Sequence, residues 1–386
     1  MSIATMTPPT YLPFARPTMD EATVADVGAV LRSGWLTSGP KVRDFEAALS
    51  AHVGGRPVRV LSHATAALEI ALQVAGIGPG DEVITPAMTF FAAPNMIMKV
   101  GATPVFVDVD PTTRNLDLAA VAARIGHRTR AIMPTHFGGL PCDMDELYAL
   151  AAKHKLRVIE DAALAIGSSW RGRAIGSFGD LVVFSFHPNK NITTIEGGAL
   201  VVNDAREAAD IEVRRFHGIR KLPDGTRDVT EAGGKFNLPD VNAAVGLRQL
   251  AALPAFIARR RALVKRYFEN FRTDPACELP HPGYAGDEAG HSWNMFAPLL
   301  PLSQLTISRQ VFRAELEKRG IGTGMSYEAA HLATAYRRLG YHRGDLPNTE
   351  HIADTTVTLP LFPTMTDADV DRVCTACAEV LGAARR

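Results

Sequence analysis

Lys190 is the residue whose surroundings in the sequence most strongly suggest chemistry. It closes the run LVVFSFHPNK, residues 181–190, which begins as a β-branched and aromatic strand pattern and breaks at Pro188. A lysine at the end of a buried strand is either a solvated loop residue or an amine nucleophile whose neutral form is favoured by burial. The second interpretation predicts a lysine that forms a Schiff base.

The turn at residues 62–68 has the composition of an anion-binding site. Its sequence, SHATAAL, lies between an apolar strand pattern and a helix rich in alanine and leucine. Small residues let backbone amides and the Thr65 hydroxyl face an anion at the positive end of the helix, where a phosphate is favoured. The same residues would also serve as an ordinary helix N-cap, so both interpretations stay open.

Asp161 and Phe90 each follow an apolar strand pattern and could contact a planar cofactor. Asp161 closes the run VIED, where a carboxylate is either a loop or capping residue or the group that keeps a proton on a heteroaromatic nitrogen. Phe90 follows the strand pattern of residues 84–88 and can pack in the core or lie flat on a cofactor ring. On the residues alone, these interpretations remain alternatives.

The composition is that of a globular chain whose partner is a small molecule. Of the 386 residues, 46% are hydrophobic, and 41 Lys and Arg balance 41 Asp and Glu. This balance supplies no basic field for nucleic acid or for an anionic membrane. No apolar run suits a membrane span, and the first ten residues lack the pattern of a secretory signal.

The four cysteines indicate a reducing, cytoplasmic location and no metal site. They are too few and too scattered for a disulfide framework. Cys374 and Cys377 form a CxxC, but it lies in a helical pattern without a second pair or a histidine cluster. Packing is therefore favoured over metal ligation for this pair.

Short apolar runs alternate with helix-length segments from residue 58 onward, which predicts successive βαβ units and a largely parallel sheet. Such sheets bind ligands at the carboxyl ends of their strands. Helical patterns dominate residues 241–271, and prolines and glycines near residues 280–290 indicate a border loop. We expect an N-terminal arm at residues 1–20, a large domain at 21–250, and a smaller C-terminal domain with a long connecting helix at 251–386.

The order of these features, a phosphate turn, an aromatic residue, an acid and then Ser185 and Lys190, resembles that of fold-type I pyridoxal phosphate (PLP) enzymes. The details are similar to the DegT/StrS family of sugar aminotransferases over nearly the whole chain. Within it, the chain resembles the branch that makes UDP-4-amino-4-deoxy-L-arabinose for lipid A modification. The motifs that carry the likeness include GDEVITPAMTF (80–90), GATPVFVDVD (101–110), FSFHPNKNITTIEGGALV (184–201) and GGKFNLPDVNAAVGLRQL (233–250).

The resemblance implies a fold and a set of cofactor contacts. The fold would be α/β, a large PLP-binding domain with a mainly parallel sheet between helices plus a smaller α+β C-terminal domain. Lys190 would form the Schiff base with PLP and move the proton during the reaction. Asp161 would pair with the ring nitrogen, and Phe90 would stack on the ring.

The resemblance also implies how the phosphate is held. The Ala64 amide, Thr65 and Ser185 would bind it, with Asn237 reaching in from a neighbouring subunit. That last role implies a homodimer with shared active sites.

Tyr327 and His331 match positions that approach the sugar substrate in relatives, although His331 could equally be a satisfied histidine in a turn. Two other residues depart from the family pattern. Leu164 stands where relatives carry His or Gln beside the ring hydroxyl of the cofactor, and a leucine cannot form a hydrogen bond there. Ser326 stands where the arabinose enzymes carry His.

The expected function is amino transfer from an amino acid to a nucleotide-linked keto sugar. The resemblance to the family implies that the amino donor is glutamate. One alternative keeps the cofactor and changes the acceptor to a cyclitol or natural-product ketone, or changes the chemistry because of Leu164. A second alternative is a non-catalytic binding protein, which the joint presence of Asp161, Ser185, Lys190 and Asn237 argues against.

Overall fold

The structure is a computed structural model that describes residues 11–271, 275–284 and 287–386. Residues 1–10 of the predicted arm and residues 285–286 of the predicted border loop lie outside the described residues. The rest of the arm crosses to the C-terminal part of the chain, where Leu12 is buried and bridges to Ile321.

Helices and strands alternate along the first half of the chain, as the sequence predicts. The α-helices are α1 (Glu21–Ser33), α2 (Pro40–His52), α3 (Ala64–Val74), α4 (Ala92–Lys99), α5 (Leu118–Arg124), α6 (Met144–His154), α7 (Ala205–Arg214), α8 (Asp240–Asn270), α9 (Arg309–Lys318), α10 (Thr334–Arg337), α11 (Pro347–Thr355) and α12 (Asp367–Ala383). The strands are β1 (Val58–Leu61), β2 (Glu82–Pro86), β3 (Thr103–Val107), β4 (Thr129–Ile132), β5 (Arg157–Asp161), β6 (Ser169–Trp170), β7 (Arg173–Ala174), β8 (Leu181–Ser185), β9 (Gly198–Val201), β10 (Ile219–Lys221) and β11 (Arg227–Val229).

Seven strands form one sheet in the order β1, β9, β8, β5, β4, β2, β3. The pairs from β8 to β3 are parallel, whereas β9 is antiparallel to both β1 and β8. The predicted mainly parallel sheet is thus confirmed. Because β5 and β8 are parallel neighbours, their carboxyl ends lie side by side at one edge of the sheet.

Helices cover both faces of the sheet because strand residues alternate between two cores. One core contains Ile159 and Val183 and packs against α3, α4 and α7. The other contains Val158 and Val182 and packs against α2, α6 and the first half of α8. Burial of both faces explains why these strands are continuous apolar runs in the sequence.

The long helix α8 connects the sheet domain to a third core. Leu253 and Ile257, near the middle of the helix, belong to the core beside the sheet, and Leu263 and Tyr267, nearer its end, belong to a core shared with α9 and α12. The domain boundary expected after residue 250 falls inside this helix and stays a prediction. Within the described ranges, α8 alone is long and apolar enough to cross a membrane, and its buried residues pack in both cores.

Extended segments of the C-terminal part are brought to the edge of the sheet by single backbone contacts. Gly324 pairs with Thr358, and the Ala330 amide donates to the Ala87 carbonyl, just after β2, at 2.9 Å. Residues 324–330 therefore lie near the strand ends that form the site.

The start of α3 differs from that of other helices in the kind of side chain that caps it. The N-caps that use a carboxylate or hydroxyl oxygen are Asp20, Asp117, Asp143, Asp204, Ser308 and Thr366. In α3, the His63 Nδ1 accepts the Ala66 amide at 2.9 Å. The amides of Ala64 and Thr65 precede this bond and have no carbonyl within the helix to bond to.

Candidate active site

A cavity of about 220 Å³ opens at the carboxyl ends of β5 and β8. It brings together residues that are far apart in the chain, because parallel strands and the α3 N-terminus meet at this edge. Seven of the residues predicted for the site line it, namely Ala64, Thr65, Phe90, Asp161, Ser185, Lys190 and Tyr327.

Lys190 lies in a turn after β8, where its amide donates to the His187 carbonyl at 2.9 Å. Its side chain lines the cavity. Burial lowers the pKa of the Lys190 amine to about 8, against the opposing effect of the Asp161 charge. An amine with this pKa is neutral in about a tenth of molecules at pH 7, a larger fraction than for a solvated loop lysine. This neutral fraction suits a nucleophile or a proton carrier.

Asp161 presents one free carboxylate oxygen to the same cavity. It is the last residue of β5 and is 5% exposed. Its Oδ1 accepts the Ala163 amide at 3.1 Å, and no hydrogen bond from the described residues reaches Oδ2. Burial raises the pKa of Asp161, although the Ala163 hydrogen bond and the charge of Lys190 partly offset this rise. A carboxylate oxygen without a protein partner, in a cavity that an amine also lines, can accept a hydrogen bond from a protonated ligand nitrogen.

Glu160 precedes Asp161 and anchors the strand from the opposite face of the sheet. It is fully buried, and its carboxylate accepts the Tyr148 hydroxyl at 2.5 Å and pairs with His136 Nε2 at 3.0 Å. His136 Nδ1 accepts the Cys142 amide at 3.2 Å, which leaves the ring proton on Nε2 to donate to Glu160. No role was predicted for Glu160 from the sequence, although the alternation of side chains along a strand already implied that it faces away from Asp161.

The phosphate turn is packed tightly against β9. A Cβ added at Gly198 would lie 2.5 Å from the Ala64 nitrogen, so only glycine lets β9 pass this close to the turn. Ser185 pairs in register with Gly198 and lines the cavity beside Thr65. Two hydroxyls and the first amides of α3 thus face one space, which is the donor set that a phosphate requires.

The cavity also has an aromatic and apolar wall. Phe90 is 59% exposed, and its ring centroid lies 6.0 Å from that of Tyr327, so it lies at the cavity and not in the core. Leu164 is 4% exposed and packs in a cluster with Phe137, Met295 and Tyr327. The wall at position 164 is therefore apolar, as the sequence indicates.

A second cavity of about 230 Å³ adjoins the first. The two share the wall residues Phe90, Leu164, Asn189 and Tyr327. The second cavity is also lined by polar residues that sequence reasoning did not single out, Asn294, Glu328 and Thr358. Their separation in the chain gave no pattern from which to predict them. His63, which lies inside the predicted phosphate turn but was given no role there, also lines the first cavity.

Two predicted site residues lie outside both cavities. His331 is fully buried and pairs through Nε2 with Glu350 at 3.1 Å, while its Nδ1 has no hydrogen-bond partner among the described residues. The Asn237 side chain donates to the Thr37 and Ser38 hydroxyls at 3.0 and 2.8 Å. Asn237 lines neither cavity of its own chain, and its predicted reach into a neighbouring subunit stays a proposal.

The sequence matches one family model across most of its length. The model is that of the DegT/DnrJ/EryC1/StrS aminotransferase family, and it matches residues 17–378.

Solved structures of aminotransferases have the same fold. The PLP-form of Spr1654 from Streptococcus pneumoniae, described as a sugar aminotransferase, has a TM-score of 0.90 at 31% identity, covering 97% of this chain and 99% of that one. Helicobacter pylori PseC, an aminotransferase of pseudoaminic acid biosynthesis, has a TM-score of 0.90 at 28% identity, covering 97% and 100%. DesI, solved in the presence of its TDP-sugar product, has a TM-score of 0.85 at 33% identity, covering 96% and 93%.

Proposed function

This chain belongs to the DegT/DnrJ/EryC1/StrS aminotransferase family, and we propose that this PLP-dependent sugar aminotransferase moves an amino group from glutamate to a nucleotide-linked keto sugar. One observation carries the proposal: the Lys190 amine and the free Asp161 oxygen line the same cavity, which shares a wall with a second cavity large enough for part of a sugar.

The residues of the first cavity fit PLP. The amides of Ala64 and Thr65, with the hydroxyls of Thr65 and Ser185, would hold the phosphate at the positive end of α3. Asp161 Oδ2, which has no partner among the described residues, would accept the protonated ring nitrogen. Phe90 would cover one face of the ring.

PLP, when bound, supplies an electron sink that stabilises a carbanion at the carbon next to the transferred nitrogen. The protein must keep that sink electron-poor and move one proton. A buried Asp161 carboxylate holds the proton on the ring nitrogen, because a charged pair is favoured over an unpaired buried charge. Lys190 Nζ, neutral in part because of burial, takes up and returns the proton at the reacting carbon.

The second cavity is the proposed place for the acceptor. Its polar residues Asn189, Asn294 and Thr358 can bond sugar hydroxyls, while Leu164 and Met295 form an apolar side. The wall that it shares with the first cavity would place a keto carbon beside Lys190. DesI was solved in the presence of its TDP-sugar product, which supports a nucleotide-linked acceptor here by analogy.

We propose that the working unit is a homodimer in which Asn237 serves the site of the partner subunit. Asn237 is held by the turn at Thr37 and Ser38, next to Trp35 and Leu36, which are 64% and 47% exposed. Apolar side chains this exposed, beside a polar residue held toward the surface, suit a subunit interface.

Absorption spectroscopy of the PLP-loaded enzyme tests the function in two stages. Glutamate alone should bleach the long-wavelength band of bound PLP, and nucleotide-linked keto sugars should restore it. Bleaching without restoration by any nucleotide sugar, but with restoration by a cyclitol ketone, would favour the cyclitol alternative. No bleaching by glutamate or by any other amino donor would overturn amino transfer and favour a binding protein.

Subunit mixing tests the shared site. Lys190→Ala and Asn237→Ala homodimers should both be nearly inactive, and denaturing and refolding them together should restore about a quarter of the wild-type activity, because half of the dimers are mixed and each has one intact site. A mixture that stays as inactive as its parents would contradict the shared site. A mixture of Lys190→Ala with Lys190→Arg is the control, since no mixed dimer regains the amine.

A further inference from the structure

Arg114 is a buried cation that the proposed reaction does not use. It follows β3 in a tight turn, with a left-handed backbone (φ 62°), and its side chain is 2% exposed. One guanidinium nitrogen, Nη1, donates to the Ala297 carbonyl. The other two, Nε and Nη2, are buried without a hydrogen-bond partner in the described part of the chain.

No carboxylate of the described residues forms an ion pair with Arg114. The charge of Glu278 acts on it only from a distance, and burial lowers the pKa of Arg114 to about 10, so the group stays positive at neutral pH. Other arginines have acceptors at close range. Arg157, for example, pairs with Asp180 at 2.6 Å, and the equally buried Arg260 donates to three backbone carbonyls.

Arg114 lines a cavity of about 20 Å³, between the turn after β3 and the segment that contains Ala297. A single water-sized particle needs about 10–15 Å³, so the cavity has room for one small species. The remaining walls are mostly apolar side chains and glycine, contributed by Phe137, Gly138, Leu140, Pro280, Met295 and Ala297.

Two of the lining residues, Arg114 and His281, carry N–H donors without a partner among the described residues. His281 Nδ1 accepts the Gly283 amide at 3.1 Å, which places the ring proton on Nε2, where it is free to donate. The hydroxyl of Thr113 is already committed to Asp110, at 2.9 Å. His291 accepts the Trp293 amide and stacks on the Trp293 ring, so it adds no acceptor.

We propose that this cavity is a binding site for one small monovalent anion of the size of chloride, held by Arg114 Nε and Nη2 and by His281. A buried guanidinium without a counter-charge is strongly unfavourable, and a water molecule would satisfy its hydrogen bonds without neutralising it. An anion does both. The site is distinct from the PLP cavity and does not depend on the proposed amino transfer.

The anion site lies directly behind the acceptor cavity. Met295 lines both, and the ring of Phe137, which lines the anion site, lies 6.2 Å from the ring of Tyr327. A bound anion would fix the Ala297 segment through Arg114 and so stiffen this shared wall.

Bromide, which scatters anomalously and resembles chloride, is the direct probe. Crystals of the PLP-loaded enzyme grown in sodium bromide should show an anomalous peak next to Arg114 Nε and Nη2. Thermal unfolding in solution is the second measurement. Chloride at 100 mM should raise the Tm by about 1–3 °C relative to gluconate at equal ionic strength, because gluconate is too large for the cavity.

Arg114→Met should have the same Tm in the two salts, whereas the control Arg266→Met, which removes a surface arginine, should keep the chloride effect. If Arg114→Met does not fold, the bromide map of the wild-type enzyme still decides. An ordered water at this place in the bromide crystal, or a peak there without any chloride effect on the Tm of the wild-type enzyme, would overturn the proposal.

Discussion

Glu160 and Asp161 are adjacent on β5 and their carboxylates serve opposite faces of the sheet. Asp161 lines the PLP cavity, while Glu160 is fully buried on the other side between Tyr148 and His136. Because successive side chains of a strand point to opposite faces, Asp161 faces the cofactor cavity and Glu160 holds the end of the strand in place. The His136 amide, which donates to the Asp161 carbonyl at 3.1 Å, links the two roles.

Replacement of Lys190 by alanine should abolish turnover, because it removes both the amine that binds PLP and the proton carrier. We expect a loss of at least about 10³-fold in kcat for amino transfer, together with loss of the long-wavelength absorbance of bound PLP. Lys190→Arg, which keeps the charge and most of the volume, should be equally inactive. Activity near the wild-type rate in either variant would refute the assignment.

Capture of PLP by the apo-enzyme should depend on pH with a midpoint near 8. Only the neutral amine attacks, so the rate should rise about tenfold per pH unit below 8 and level off above it. Asp161→Asn removes the charge that raises the pKa of Lys190, so its midpoint should move to lower pH. Stopped-flow absorbance measures both rates.

Asp26→Asn is the control for this shift, since Asp26 pairs with Arg248 on the surface. Its midpoint should equal that of the wild-type enzyme. A midpoint for Asp161→Asn above that of the wild type would contradict the electrostatic coupling.

Replacement of Gly198 by alanine should weaken PLP binding at least about tenfold, which corresponds to about 1.4 kcal/mol. The added methyl group would lie 2.5 Å from the Ala64 nitrogen and would displace the turn that holds the phosphate. Equilibrium dialysis with PLP measures the affinity. Gly126→Ala is the matched control, because its added methyl group meets no atom within 4 Å. Equal affinities for the two variants would remove Gly198 from the phosphate site.

Replacement of Tyr148 by phenylalanine should lower the free energy of unfolding by about 1–3 kcal/mol, because it leaves Glu160 with one buried oxygen unpaired. The hydroxyl also accepts the Asp180 amide at 2.7 Å. Urea denaturation measures the loss. In Tyr11→Phe, where the side chain is 53% exposed, the change should stay within about 0.5 kcal/mol.

Replacement of Leu164 by glutamine should change the visible spectrum of bound PLP and its dependence on pH, because a polar partner would then be available beside the ring. The rate of the glutamate half-reaction should change as well. Leu164→Met keeps the wall apolar at nearly constant volume and should leave the spectrum unchanged. A glutamine variant that matches the methionine variant would make the leucine incidental to the chemistry.

Local patterns in the sequence predicted much of the fold and named the residues at the centre of the candidate site. The apolar runs predicted β5 and β8. Asp161 and Lys190 were singled out because they are polar residues at or just after the ends of these runs. The turn before α3 was predicted from small residues between a strand and a helix. These features are local, so their physical causes, strand burial and helix N-terminal polarity, act within a few residues.

Long-range packing decided what the sequence left open. The sequence could not show that the Phe90 ring lies beside that of Tyr327, or that His331 pairs with Glu350. No pattern in the sequence predicted the hydrogen bond from Tyr148 to Glu160 or the cavity beside Arg114. Sequence alone determined which residues could do chemistry, because strand and helix periods are local. Only the tertiary structure decided which of them share a cavity, since that depends on contacts between distant segments whose packing no local period encodes.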